Sequence, residues 1–150
     1  MTSARSTFLA MGMSLLLVAC GGDDDPTGVN GGNGNGDDDM VLDNPSFADD
    51  INPIFSEQGC SASQCHGGGE AGLTLSSDAA ANRAELVDVA STQESEFLRV
   101  DPGDAENSYL VIKLEGRQSV GDQMPLDQSP IDDIDLGNIR NWIDNGAPDN

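Results

Sequence analysis

The chain has 150 residues, 27 of them acidic and 6 basic, for a formal charge of −21. That length accommodates one domain plus extensions, and that charge excludes a nucleic-acid partner, whose phosphates it would repel. The acidic excess suits a soluble surface and docking to a basic-surfaced protein.

Residues 1–19 read as an export signal. Arg5 supplies the positive end, and the apolar stretch Phe8 to Val18 is short for a membrane span. It ends Leu17-Val18-Ala19-Cys20-Gly21, which resembles the bacterial lipoprotein box, where the signal is cut before the cysteine and that cysteine carries lipid. The expectation is a protein anchored through Cys20 to a membrane of the cell envelope, facing periplasm or cell exterior. The other reading is an ordinary signal peptide with Cys20 left as a thiol. Residues 20–40 are mostly Gly, Asp and Asn and cannot bury enough surface to offset ordering entropy, so a flexible tether is expected. The runs Asp23–Asp25 and Asp37–Asp39 lack the spaced ligands and closing Glu of a calcium loop. They read as solvating charge.

Residues 41–150 carry the folded part, and their periodicity is helical. A first helix is predicted from Asn44-Pro45, a cap residue with proline at the first helical position. Phe47, Ile51, Ile54 and Phe55 form its apolar face, Pro53 marks a kink or break, and Gly59 ends it. Ala79 to Val89 predicts a short helix with Leu86 and Val87 inward, and Phe97 to Val100 an extended run before the turn Asp101-Pro102-Gly103-Asp104. Asp104 is expected to cap a helix through Tyr109, Leu110, Ile112 and Leu114, stopped by Gly116. Ser129-Pro130 opens the last helix, with Asp132 and Asp133 in its first turn. Its buried side is Ile131, Ile134, Ile139, Trp142 and Ile143, and Gly146 stops it. The whole is an all-α domain with loops long enough to wrap a ligand.

The chemistry concentrates in Gly59-Cys60-Ser61-Ala62-Ser63-Gln64-Cys65-His66-Gly67, which contains the chain's only histidine. Two thiols followed directly by a histidine are the means of attaching a c-type haem. The thiols add across the haem vinyl groups, and the histidine becomes an axial ligand. The usual spacing leaves two residues between the cysteines; here there are four. Export would put the pair in an oxidising compartment, where bacterial haems of this type are attached. Glycines after the motif, Gly67 to Gly69 and Gly72, would let the backbone bend closely around a flat ligand, or simply form a surface loop. With few aromatic residues, a domain of this size gains much from a cofactor in its core. A sixth iron ligand is typically a methionine sulfur, and Met124, in a loop before Pro125, is the only methionine after the tether.

Phe47 to Ala147 resembles a bacterial cytochrome c domain of the small single-haem kind found in exported lipoproteins. The resemblance rests on Ile51-Asn52-Pro53-Ile54-Phe55, Cys60 through Gly67, Gly72-Leu73-Thr74-Leu75, Arg99 to Asp104, Ser108-Tyr109-Leu110, Lys113-Leu114, Met124-Pro125 and Ile139 to Ile143. It implies a helical fold whose first and last helices cross beside one covalent haem c. Cys60 and Cys65 would be the thioether sites, His66 the proximal ligand and Met124 the distal one. Many relatives place a proline soon after Cys-His-Gly, whose backbone oxygen holds the histidine ring. This chain has Glu70-Ala71-Gly72-Leu73 there, so another carbonyl must accept the ring N–H.

The function implied is one-electron transfer by a membrane-tethered carrier, not an enzyme, since no separate catalytic constellation is present. Three alternatives stay open. One is a haem-free exported interaction module with a Cys60–Cys65 disulfide. Another is a metal site, copper on Cys60, Cys65, His66 and Met124 or zinc on the two thiolates and the imidazole. The third is a haem from which Met124 dissociates, opening the iron to peroxide or small gases.

Overall fold

The computed structural model describes residues 40–150. The export signal, Cys20 and all of the tether but Met40 lie outside the described residues. The described part is helical, with four α-helices and no strand: α1 (Asn52–Glu57), α2 (Ala79–Leu86), α3 (Tyr109–Glu115) and α4 (Asp133–Asp144). No helix among the described residues is long and apolar enough to cross a membrane.

The first helical segment begins two residues later than Pro45 would place it. Ser46 is the cap: its hydroxyl accepts from Asp49 N, while its own N–H donates to the Asp50 carboxylate at 2.6 Å, a reciprocal pairing that satisfies two otherwise orphaned donors. Phe47–Ile51 forms a π-helical turn that runs directly into α1. Pro53, expected to kink or break the helix, sits in the first turn of α1, next to the point where the π-helical turn gives way to α-helix. The predicted apolar face is buried: Phe47, Ile51, Ile54 and Phe55.

Helix α2 is capped by Asp78 and ends at Leu86, short of the expected Val89. From Val87 the chain is extended and pairs with the Phe97–Val100 run through isolated bridges, Val87 to Val100 and Ala90 to Leu98. Pairing the Val89 carbonyl with Arg99 N at 2.7 Å replaces the helical bonds that were predicted there. The buried Asn82 ties α2 to α1, donating to Asn52 Oδ1 at 2.7 Å and to the Ser76 carbonyl at 2.9 Å.

Asp104 does not cap α3. Its carboxylate closes its own turn, accepting from Asn107 N and Asn107 Nδ2 at 3.1 and 2.7 Å. Ser108 takes the cap position, its hydroxyl bridging the Asp104 carbonyl and Asp101 N. Helix α4 likewise starts later than Ser129-Pro130, because Asp132 accepts from both Ile134 N and Asp135 N. Of its expected inner face, Ile131, Ile139, Trp142 and Ile143 are buried and Ile134 is half-buried.

The first and last helical segments meet through Phe47 and Trp142, whose ring centroids are 4.8 Å apart at 37°. Phe55 extends that cluster, its ring 6.5 Å from Phe47. Stacks of this kind contribute beyond their buried area. Residues 42–43 run along α4, held by the Asn138, Asn141 and Asn145 side chains: Leu42 N to Asn138 Oδ1 at 2.7 Å, Asn141 Nδ2 to the Leu42 carbonyl at 2.7 Å, and Asn145 Nδ2 to the Asp43 carbonyl at 2.8 Å. On the other side of α4, Arg140 and Arg117 each pair with both Glu106 and Glu115, joining α3, α4 and the turn before α3.

Candidate cofactor site

All four helices contribute to the walls of one cavity of about 410 Å³, within the range typical of small-molecule and cofactor sites. Its apolar walls include Ile54 and Phe55 of α1, Leu86 of α2, Leu110 and Leu114 of α3, and Ile139 of α4. Cys60, Cys65, His66 and Met124 also line it. Residues far apart in the chain are thus brought to a single enclosure.

The Cys loop is built almost entirely from backbone hydrogen bonds. Cys60 N donates to the Phe55 carbonyl at 2.8 Å, which continues α1 into the loop. The four intervening residues fold into turns, with Ala62 N on the Gly59 carbonyl and Cys65 N on the Ala62 carbonyl. His66 N then returns to the Cys60 carbonyl at 3.0 Å, closing the longer spacing. Gly67 and Gly68 do not line the cavity. A Cβ at Gly67 would lie 2.2 Å from the Ser61 carbonyl oxygen, and one at Gly68 would lie 2.3 Å from that of Ser63. Their close approach is to the loop's own backbone rather than to a ligand.

The His66 ring has the partner that the sequence required. Nδ1 lies 3.0 Å from the Glu70 carbonyl oxygen. A carbonyl only accepts, so Nδ1 carries the proton and Nε2 keeps its lone pair for a metal. Cys60 and Cys65 are both free thiols. Burial pushes the Cys60 thiol above its ordinary range, a backbone hydrogen bond opposes this, and the neighbouring Cys65 adds to the rise. Among the described residues no three His, Cys, Asp or Glu side chains converge as a metal cage.

Met124 is reached differently. Its N–H donates to the Lys113 carbonyl at 2.9 Å, and Gln123 Nε2 donates to the Leu114 carbonyl at 2.7 Å, so the loop hangs from the C-terminal end of α3. Further back, Ser119 bonds the buried Glu94 through its hydroxyl and its N–H. These contacts hold the Glu94 carboxyl below the usual carboxylate range, the Ser119 hydroxyl contributing most. The Met124–Pro125 peptide is cis.

Sequence reasoning did not single out as site residues four polar residues of the cavity lining, Gln93, Arg99, Tyr109 and Lys113. Tyr109 Oη donates to Gln93 Oε1 at 3.2 Å and its ring stacks on Phe97. Burial, with the charge of Glu94 next, pushes the phenol up to about 12. Arg99 donates to the Glu85 and Gly72 carbonyls, each at 2.6 Å, bracing the loop that follows His66. Burial pushes the Lys113 ammonium below the ordinary lysine range, with Asp122 and Glu94 acting the other way. The signal was present in α3: Tyr109 and Lys113 are four residues apart, hence on one helix face, and Lys113 stands inside the apolar run Val111-Ile112-Lys113-Leu114.

No family model, curated protein or solved structure matches this chain.

Proposed function

We propose that the chain is a c-type cytochrome: one haem attached through Cys60 and Cys65, ligated by His66 and Met124, carrying single electrons. The observation that carries this reading is that the motif's two thiols and imidazole share one largely apolar cavity with Met124. A haem, when bound, supplies an iron that gains and loses one electron at a time. The protein's residues do the rest. Cys60 and Cys65 would hold the haem through thioether links, each S–H supplying its sulfur and its hydrogen to one vinyl group. His66 offers Nε2, its orientation fixed by Glu70, and Met124 offers a thioether sulfur. Aliphatic walls exclude water and favour the less charged oxidation state. With His66 and Met124 both holding the iron, no coordination site would remain for a substrate. Export and a lipid on Cys20 would place the carrier at a membrane of the envelope, and its acidic surface would suit a basic-surfaced redox partner.

The test is expression with the cellular haem-attachment machinery, followed by intact mass and a pyridine hemochrome spectrum. The expected result is the mass of one haem added to the polypeptide and the spectrum of two thioether links. A protein whose mass shows only the loss of two hydrogens, with no visible absorption, would carry a Cys60–Cys65 disulfide and no haem, and the proposal would fall.

A further inference from the structure

In a chain of charge −21, two of the few basic residues, Arg99 and Lys113, line the cavity. Their situations differ. Arg99 is committed to the Glu85 and Gly72 carbonyls and to the Glu85 carboxylate at 3.2 Å. Lys113 is 7% exposed, and among the described residues its ammonium makes no ion pair within 4.0 Å. Its one hydrogen bond is a long one, 3.4 Å to the Val120 carbonyl. Three N–H donors with a single weak acceptor, in a buried setting, leave most of the ammonium's capacity unspent. Of the two carboxylates that act on it, Asp122 is exposed and Glu94 is occupied by Ser119.

A second donor stands beside it. A Cβ built on Gly121 would lie 3.1 Å from Gln93 Nε2 and 3.2 Å from Lys113 Nζ, so amide and ammonium sit together under the backbone of the loop leading to Met124. Gln93 uses its carbonyl for the Tyr109 hydroxyl, which leaves its NH₂ group as a donor. Both side chains line the cavity. A buried cation and a neutral amide donor at one corner of a largely apolar cavity can together receive a carboxylate.

We infer that Lys113 and Gln93 receive a carboxylate of the cavity's ligand, which on the reading above is a propionate group of the haem. They are positioning residues: they fix which edge of the macrocycle is anionic, and Lys113 offsets that anion's charge near the iron. The inference rests on the proposed haem.

The test uses the full-length haem-loaded protein. Lys113→Met, Gln93→Leu and Lys113→Arg are compared with the parent by spectroelectrochemistry and by redox-difference infrared spectra in the carboxylate region. Lys113→Met is expected to shift the carboxylate band and to lower the reduced-to-oxidised ratio at fixed solution potential by about tenfold, the scale of one charge contact in a protein interior. Gln93→Leu, which removes no charge, is expected to shift the band with a smaller change in that ratio, and Lys113→Arg to restore both toward the parent. A normally attached haem with the band unmoved in both Lys113→Met and Gln93→Leu overturns this inference and leaves the electron-carrier reading standing. A parent protein with no haem overturns that reading and this inference with it.

Discussion

The two ends of the cavity are built by different means. On the histidine side, residues 59–69 are held by main-chain hydrogen bonds to one another and to α1, including His66 N to Cys60 O and Gly69 N to His66 O. On the methionine side, residues 117–128 depend largely on side chains and on elements distant in sequence: Gln123 on Leu114, Ser119 on Glu94, Lys113 beneath Gly121. A local backbone framework is specified by the loop's own short sequence and resists change elsewhere. A loop hung from other elements inherits every disturbance in them. The comparison therefore assigns permanence to the His66 side and adjustability to the Met124 side.

The most damaging way to break that contrast is to disrupt the main-chain framework itself. Gly67→Ala puts a methyl group 2.2 Å from the Ser61 carbonyl, and relieving an overlap of this kind costs about 1–3 kcal/mol or more. We expect little or no covalent haem in the purified variant, read by hemochrome assay. On the haem reading, Met124→Leu should leave attachment intact, because Cys60, Cys65 and His66 are untouched. It should abolish the far-red sulfur-to-iron band and open the ferrous protein to carbon monoxide, both read by absorption spectroscopy.

Gln123→Ala sharpens the comparison with a smaller change. It removes the 2.7 Å bond to Leu114, worth about 1 kcal/mol. Carbon monoxide binding should strengthen several-fold relative to the parent while haem attachment stays constant. The smallest effect is expected for Ser119→Ala, and mainly in acid. Glu94 is held below its ordinary value, so its contribution to stability is full above that ordinary value, about pH 4.3. It is lost as pH falls through the lower folded-state value. Removing the Ser119 hydroxyl should move the acid unfolding midpoint upward, followed by circular dichroism, and the sulfur-to-iron band should be lost at a higher pH than in the parent. An unchanged acid limb would mean that Glu94 does not anchor this loop.

The helices and the motif were legible because their signals are local. Apolar spacing identified the buried face of the first helix, and Asp132 in the first turn of α4 proved to be its cap. The errors arose where one residue type has two local uses. Asp104 satisfies the neighbouring Asn107 before it can serve a helix four residues on. Val87 to Ala90 has helical neighbours on one side, but its backbone is claimed by a run ten residues later. In the site, the lack of a proline after the motif indicated that some carbonyl must hold His66, while only the fold identifies it as that of Glu70. The corner made by Lys113 and Gln93 joins a helix to a loop, and no single window of sequence contains it.

Asn138, Asn141 and Asn145 also govern how the body answers to being tugged from its leading end. A pull arriving through Met40 would meet three side-chain amide attachments spread from the middle of α4 to its C-terminal end. It then passes into the helix that carries Trp142, the largest fully buried side chain. Among the described residues neither the Cys loop nor the Met loop hydrogen-bonds to residues 42–43.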